Sequence, residues 1–487
     1  MKYLLSFIIA ILLTSTLFAQ SSFEKYRSEQ YHKFKGLKES EQKSYRSFIS
    51  NKNAKFADFM RKSWTEFKSF AAMKKPKSTE PPVPAVKTNE APAPKQEIRY
   101  KVVITLVPYE VPDPVEPIVE DTPADDDTQP IFRFIFHNTP CSVHLSNVQA
   151  YVAPDASEQS AASGWKVLSA GDYDITVNDC IKLRDELQLG DWGYIKMLQA
   201  LTSTYCTGHN EAVLMQMYIL TQSGYMVRIA RTGNKWVLLM PCENDIYGYS
   251  YIYRDNMKYY ILDSVDSSGS YYVFDKAFPN EQQLSLLLPK APKLAYAPTA
   301  ERTLTSNRYP NIRVTIAENK NLIEFYNEYP LSSKWDYYSQ TSLSDKAKES
   351  LYPILRSQIS GVSTKSAANM LINFVQTAFD YKTDQEQFGY ERPLFGDETL
   401  FYPYSDCEDR SILYSILVRD LLGLEVVLLE FPGHLATAVR FPNDEVHGYY
   451  INIDGKKYTI CDPTYINADI GDCMPQYQKS ELKVIKI

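Results

Sequence analysis

Two stretches of this chain repeat the same succession of apolar helix, glycine stop and apolar strand, and that repetition limits the folds open to it. In the later stretch Ile412, Leu413, Ile416, Leu417 and Leu421 mark one helix face. Gly423 ends the helix, and Val426 and Leu428 open a strand. About 200 residues earlier, Leu214, Met217 and Tyr218 stand at the places of Leu413, Ile416 and Leu417. Gly224 stands for Gly423, and Val227 and Ile229 stand for Val426 and Leu428. Each stretch closes on a strand that ends in aspartate, Asp263 in one and Asp462 in the other. Helix and strands in this order describe an α+β protein with two related units.

The two stretches differ in chemistry. Cys407 opens the later helix, with Ser405 or Asp406 as its cap. Unpaired N–H groups and the helix dipole there favour a thiolate. Glu408 and Asp409 oppose it, so a protonated histidine nearby matters more. His434 follows Gly433 at the head of a strand, and Asp462 precedes Pro463 and Thr464. Taken singly, each has a plainer role: a small buried thiol, a strand-edge imidazole, an Asp-Pro turn. In the order Cys, His, Asp they read as nucleophile, base and orienting acid. In the earlier stretch Gly208 and Lys235 stand at the places of Cys407 and His434, while Cys206 and His209 lie near but out of register. Residues 171–290 therefore read as a noncatalytic copy that binds substrate or buttresses the other unit.

The segments Asp406-Cys407-Glu408-Asp409, His434 and Asp462-Pro463-Thr464 resemble the transglutaminase-like superfamily, the circularly permuted relatives of papain-type cysteine enzymes. So does the upstream helix from Ala367 to Phe379, which leads into Asp380-Tyr381. The resemblance spans residues 345–475, and the Cys-Glu-Asp run is closer to the superfamily's bacterial cysteine proteases than to its animal crosslinking enzymes. Two places depart from the family's pattern. Tyr404-Ser405 stand where a glycine is frequent, and Leu435-Ala436-Thr437 follow the histidine where an aromatic is frequent. The resemblance implies a cysteine enzyme acting on a protein or peptide substrate. Cys407 attacks a carboxamide or peptide carbonyl, His434 moves the proton, and Asp462 orients His434. Water or an amine resolves the thioester. The alternative is a noncatalytic binding or scaffold protein that keeps the fold. No metal-ligand spacing, phosphate-binding glycine loop or EF-hand pattern occurs, so neither metal nor cofactor is expected. Asp121 and Asp125 to Asp127 read as a solvated charge run.

The remaining segments complete the plan. Lys2, the apolar run from Leu4 to Leu17 and Ala19 read as a signal peptide over 1–19, which implies export to the periplasm or the exterior. Residues 20–74 are charged, with Phe48, Phe56, Phe59, Trp64, Phe67 and Phe70 at helical spacing. They read as a tethered helical spacer that folds back on the body or on a protein partner. A Pro-rich linker follows over 75–97. Residues 98–170 read as β-rich, 291–344 as an extended connection, and 345–487 as the catalytic domain. No later segment is apolar enough to span a bilayer. A net charge of −7 gives no sign of nucleic-acid binding. Apart from Cys407 the cysteines number six, and the sequence does not choose among their pairings. Cys461 and Cys473 are close enough in the chain to pair.

Overall fold

The computed structural model describes residues 52–487 apart from 63, 78–79, 82, 89–91, 116–129, 146–150, 170–172, 264–268, 279 and 443–446. The expected signal peptide lies outside the described residues, as do Phe48, Asp121 and Asp125 to Asp127. The described chain is a mixed α+β protein built around two main sheets.

The middle sheet has six strands in the order Thr65–Lys68, Ser270–Val273, Arg228–Thr232, Lys235–Pro241, Met257–Ile261, Tyr251–Arg254. All its neighbours are antiparallel. The C-terminal sheet has seven: Gln96–Glu97, Tyr449–Ile453, Lys456–Cys461, His434–Val439, Val426–Phe431, Leu482–Lys486, Tyr100–Thr105. Its two outermost strands join in parallel, and the inner neighbours are antiparallel. Without the strands from before residue 110, both sheets run in one order: last, first, second, fourth, third. A helix leads into each, His209–Gln222 in one and Cys407–Leu422 in the other. Each of these helices packs on an earlier one, Gly190–Tyr205 or Thr364–Thr377.

The helix Cys407–Leu422 has clear local causes. Asp406 accepts from the backbone of its first turn while Asp409 answers to the Asp406 N–H, and Gly423 closes the helix at φ 65°. Leu428 and Leu435 pack with Cys407 on one face of the sheet. On the other face Val427, Leu429, Ala436, Ala438 and Ile460 pack with Tyr465, Met474 and Tyr477. Both faces are covered, so His434–Val439 is buried along its whole length.

Several segments differ from the sequence expectation. The N-terminal segment is helical over 52–60, but Thr65–Lys68 is an edge strand of the middle sheet. Phe56, Met60 and Trp64 are core residues, and Phe56 lies 4.6 Å from the Trp165 ring and 4.3 Å from the Phe278 ring. Phe56 and Trp64 thus fold back on the body of this chain, one of the two expected placements, while Phe59 and Phe70 are exposed. The Pro-rich segment runs along the C-terminal unit instead of bridging open space, with Val86 bridged to Ile466 and Lys87 paired with Asp472 at 2.8 Å. The region 98–170 gives its first strand to the C-terminal sheet, then forms the hairpin Ile131–Phe136 with Thr139–His144 and the helix Glu158–Leu168. The connection 291–344 contains the hairpin Arg302–Thr305 with Arg313–Ile316, followed by helices Lys320–Asn327 and Trp335–Gln340. All seven cysteines are free thiols, Cys461 and Cys473 included. No described helix is long and apolar enough to cross a membrane.

Candidate active site

Cys407 is the first residue of its helix and is 1% exposed. Its Sγ lies 3.0 Å from Glu80 Oε1 and 3.3 Å from Glu408 Oε2, within donating distance of both carboxylates. The Leu435 N–H donates to the sulfur at 3.2 Å. Burial pushes the thiol well above its ordinary range, and the charges of Glu80 and Asp406 push it further. The helix start and the Leu435 N–H act the other way, but the acids outweigh them.

His434 heads its strand one residue before Leu435, so it borders the thiol. Its Nε2 lies 2.8 Å from Asp462 Oδ2. Its ring stacks on Tyr477 at 5.0 Å and an interplanar angle of 6°. Asp462 Oδ1 accepts from the N–H groups of Thr464 and Tyr465 at 3.0 and 3.2 Å. The Asp-Pro turn therefore fixes one carboxylate oxygen and presents the other to the imidazole. The structure joins His434 to Asp462 directly and links Cys407 to this strand through the N–H of Leu435, the residue after His434. Among the described residues, no hydrogen bond joins Cys407 to His434, because the sulfur is engaged with Glu80, Glu408 and Leu435.

Further residues hold this arrangement. Gln376 donates through Nε2 to the carbonyls of Asp462, Tyr465 and Ala468 at 3.3, 2.8 and 3.0 Å. Arg410 donates to Ser405 Oγ and to the carbonyls of Gln376 and Phe379. Gln376 sits on the buried face of the Thr364–Thr377 helix, where a polar residue among apolar ones was a readable signal. Glu80 carried no such signal.

Beneath the helix start, Asp384, Asp406 and Asp409 bring carboxylate oxygens within 4.8 Å of one another. Among the described residues this is one of three groups close enough to hold a cation, the others being Glu80, Cys407 and Glu408, and Asp384, Glu391 and Glu408. Backbone N–H groups support the three aspartates: Asp384 N donates to Asp406, Leu394 N to Asp409, and Arg392 N to Asp384. Burial, then the neighbouring Asp409, pushes the Asp384 carboxyl up to about 10, and burial pushes that of Asp409 up to about 7. Crowding and burial thus favour the protonated form of these acids.

The middle unit carries different chemistry at the matching places. His209 opens its helix, and its Nε2–H donates to the Trp236 carbonyl at 2.8 Å. Asp263 Oδ2 accepts from the Leu238 N–H at 2.9 Å. Cys206 ends the preceding helix and touches the Met215 sulfur. Lys235, at the sequence place of His434, is exposed. Cys206, His209 and Asp263 line a cavity of about 830 Å³, but backbone groups take up the imidazole and the carboxylate. This cavity lies in the middle unit, and at Cys407 the Glu80 and Glu408 carboxylates sit against the sulfur.

No protein-family model, curated protein or solved structure matches the chain.

Proposed function

We propose that the C-terminal unit is a transglutaminase-like cysteine enzyme acting on peptide or carboxamide bonds. The observation that carries this reading is the buried His434–Asp462 pair at 2.8 Å, bordering a cysteine at a helix start. With Nε2 turned to Asp462, Nδ1 is the nitrogen free to serve the thiol. In the proposed cycle His434 accepts the Cys407 proton, and the thiolate attacks the substrate carbonyl. The C–N bond breaks, the amine leaves with the proton from His434, and a thioester remains. Water or a second amine then releases the acyl group and Cys407 regains its proton through His434. The backbone N–H of Cys407 is a candidate donor to the oxyanion. Export is proposed from the apolar run that opens the sequence.

A second reading, a binding or scaffold protein without turnover, is favoured by one specific observation: the thiol faces Glu80 and Glu408 rather than His434. Cleavage of a peptide library by the wild-type protein beside Cys407→Ala separates the two. Cleavage lost in the variant supports the enzyme. Identical behaviour of the two proteins overturns it in favour of the scaffold.

A further inference from the structure

The described residues between Pro76 and Lys87 make a connected set of contacts across the mouth of the thiol site. The Pro76 carbonyl accepts from the Glu391 N–H at 3.0 Å, and the Pro81 carbonyl accepts from the Tyr381 hydroxyl at 2.9 Å. Val86 bridges Ile466 in parallel fashion. The Ile466 N–H donates to the Ala85 carbonyl, and the Lys87 N–H to the Ile466 carbonyl, each at 2.9 Å. Lys87 Nζ reaches Asp472 at 2.8 Å, and Glu80 meets the Cys407 sulfur at 3.0 Å.

This pattern has a chemical signature. The groove offers donors, namely the Glu391 N–H, the Tyr381 hydroxyl and the Ile466 N–H. The occupant answers with the carbonyls of Pro76, Pro81 and Ala85, and gives one N–H, that of Lys87, to the Ile466 carbonyl. A proline has a carbonyl and no N–H, so Pro76 and Pro81 lose nothing in such a track. Proline also holds the chain extended before it binds, which lowers the entropy lost on docking. Main-chain pairing with Ile466 adds the strand-like half of the recognition.

We infer that this donor-lined track is the peptide-docking surface of the Cys407 site, that the described residues from Pro76 to Lys87 fill it in cis, and that its outside ligand is an extended, proline-containing peptide. The inference rests on the thiol-enzyme reading only for what happens after docking. While the cis segment is in place, Glu80 covers the sulfur. An outside peptide gains access only when that segment lifts.

Two variants test this at separate ends of the segment. Glu80→Ala removes the cover, and Lys87→Pro removes both the N–H bonded to Ile466 and the ammonium paired with Asp472. Alkylation of Cys407 by iodoacetamide, followed by mass spectrometry, should run about tenfold or more faster in each variant than in wild type, because the open fraction rises. A synthetic peptide of residues 76–87 added to Lys87→Pro, whose own segment has lost its hold on Ile466 and Asp472, should restore protection. Should Lys87→Pro fail to fold, Glu80→Ala decides alone. Alkylation no faster than wild type in a folded Glu80→Ala protein, or no protection by the peptide, overturns the inference. None of these readouts needs turnover. A thiol that is freed and re-protected as expected, yet cleaves no library peptide, sinks the enzyme reading and leaves the docking surface standing.

Discussion

Asp462 gives His434 one carboxylate oxygen, at 2.8 Å from Nε2, and commits the other to two backbone N–H groups. The ring is thereby held in the tautomer that leaves Nδ1 for the thiol. Asp462→Asn keeps the shape and removes the charge. In the Lys87→Pro background, where the segment's hold on Ile466 and Asp472 is lost, it should slow turnover by about 10³–10⁴-fold. His434→Ala should lose as much. Peptide cleavage rates check both, and rates within a factor of a few of the parent would remove His434 and Asp462 from the mechanism.

Gln376 spends one amide nitrogen on three buried carbonyls. Gln376→Ala takes a shared donor from all three, leaving the Asp462 and Tyr465 carbonyls only the Tyr465 and Ala468 N–H groups, and should cost about 1–3 kcal/mol of stability. Urea unfolding measures it. Because the same carbonyls shape the turn that carries Asp462, turnover should also drop in protein that is still folded. A stability loss below about 0.5 kcal/mol would show that the loop holds itself.

Glu318 is 1% exposed, and neither of its carboxylate oxygens has a hydrogen-bond partner among the described residues. Burial, then the charge of Asp397, pushes its carboxyl up to about 9. The folded protein therefore holds this proton more tightly than the unfolded chain does. The stability it contributes is complete below the unfolded value near 4.5 and is lost as pH rises through the folded one. The slope for one such group is at most about 1.4 kcal/mol per pH unit. Glu318→Gln keeps the neutral shape at every pH, so it should flatten the decline between about pH 5 and pH 8 and be the more stable protein at the upper end. Parallel slopes for the two proteins would refute the assignment.

Trp64 is 7% exposed, donates from Nε1 to the Met60 carbonyl at 3.0 Å and lies 6.2 Å from the Phe274 ring. Trp64→Ala should destabilise the protein by about 3 kcal/mol or more, through a cavity in the core of the middle unit. A spacer lying on the surface would lose almost nothing. Thermal or urea unfolding distinguishes the two outcomes.

What could be read from the sequence was local. The helix start at Cys407 follows from Asp406, Asp409 and the apolar face behind them, and its end follows from Gly423. The turn at Asp462 follows from Pro463. Short elements with weak periodicity escaped. The helix Lys320–Asn327 falls in a segment whose sequence reads as extended chain, although Asn319 caps it by accepting from the Asn321 N–H. Thr65–Lys68 reads as helix because its aromatic neighbours keep helical spacing. That spacing arises from a helix whose Phe56 enters the main core and a strand whose Phe67 packs on the other face of the middle sheet. Glu80 could not be read at all. It meets Cys407 across 327 positions of chain, and no local pattern encodes a contact of that span.

The early strands have a further consequence. Gln96–Glu97 and Tyr100–Thr105 lie on opposite margins of the C-terminal sheet, and Thr65–Lys68 lies on a margin of the middle sheet. The segment over Cys407 is the stretch of chain between these clasps. A single peptide-bond break there would leave each new end anchored in its own sheet, with Phe56 and Trp64 still in the core on one side of the cut. The molecule can be unlatched at its thiol by one nick and still travel as one body.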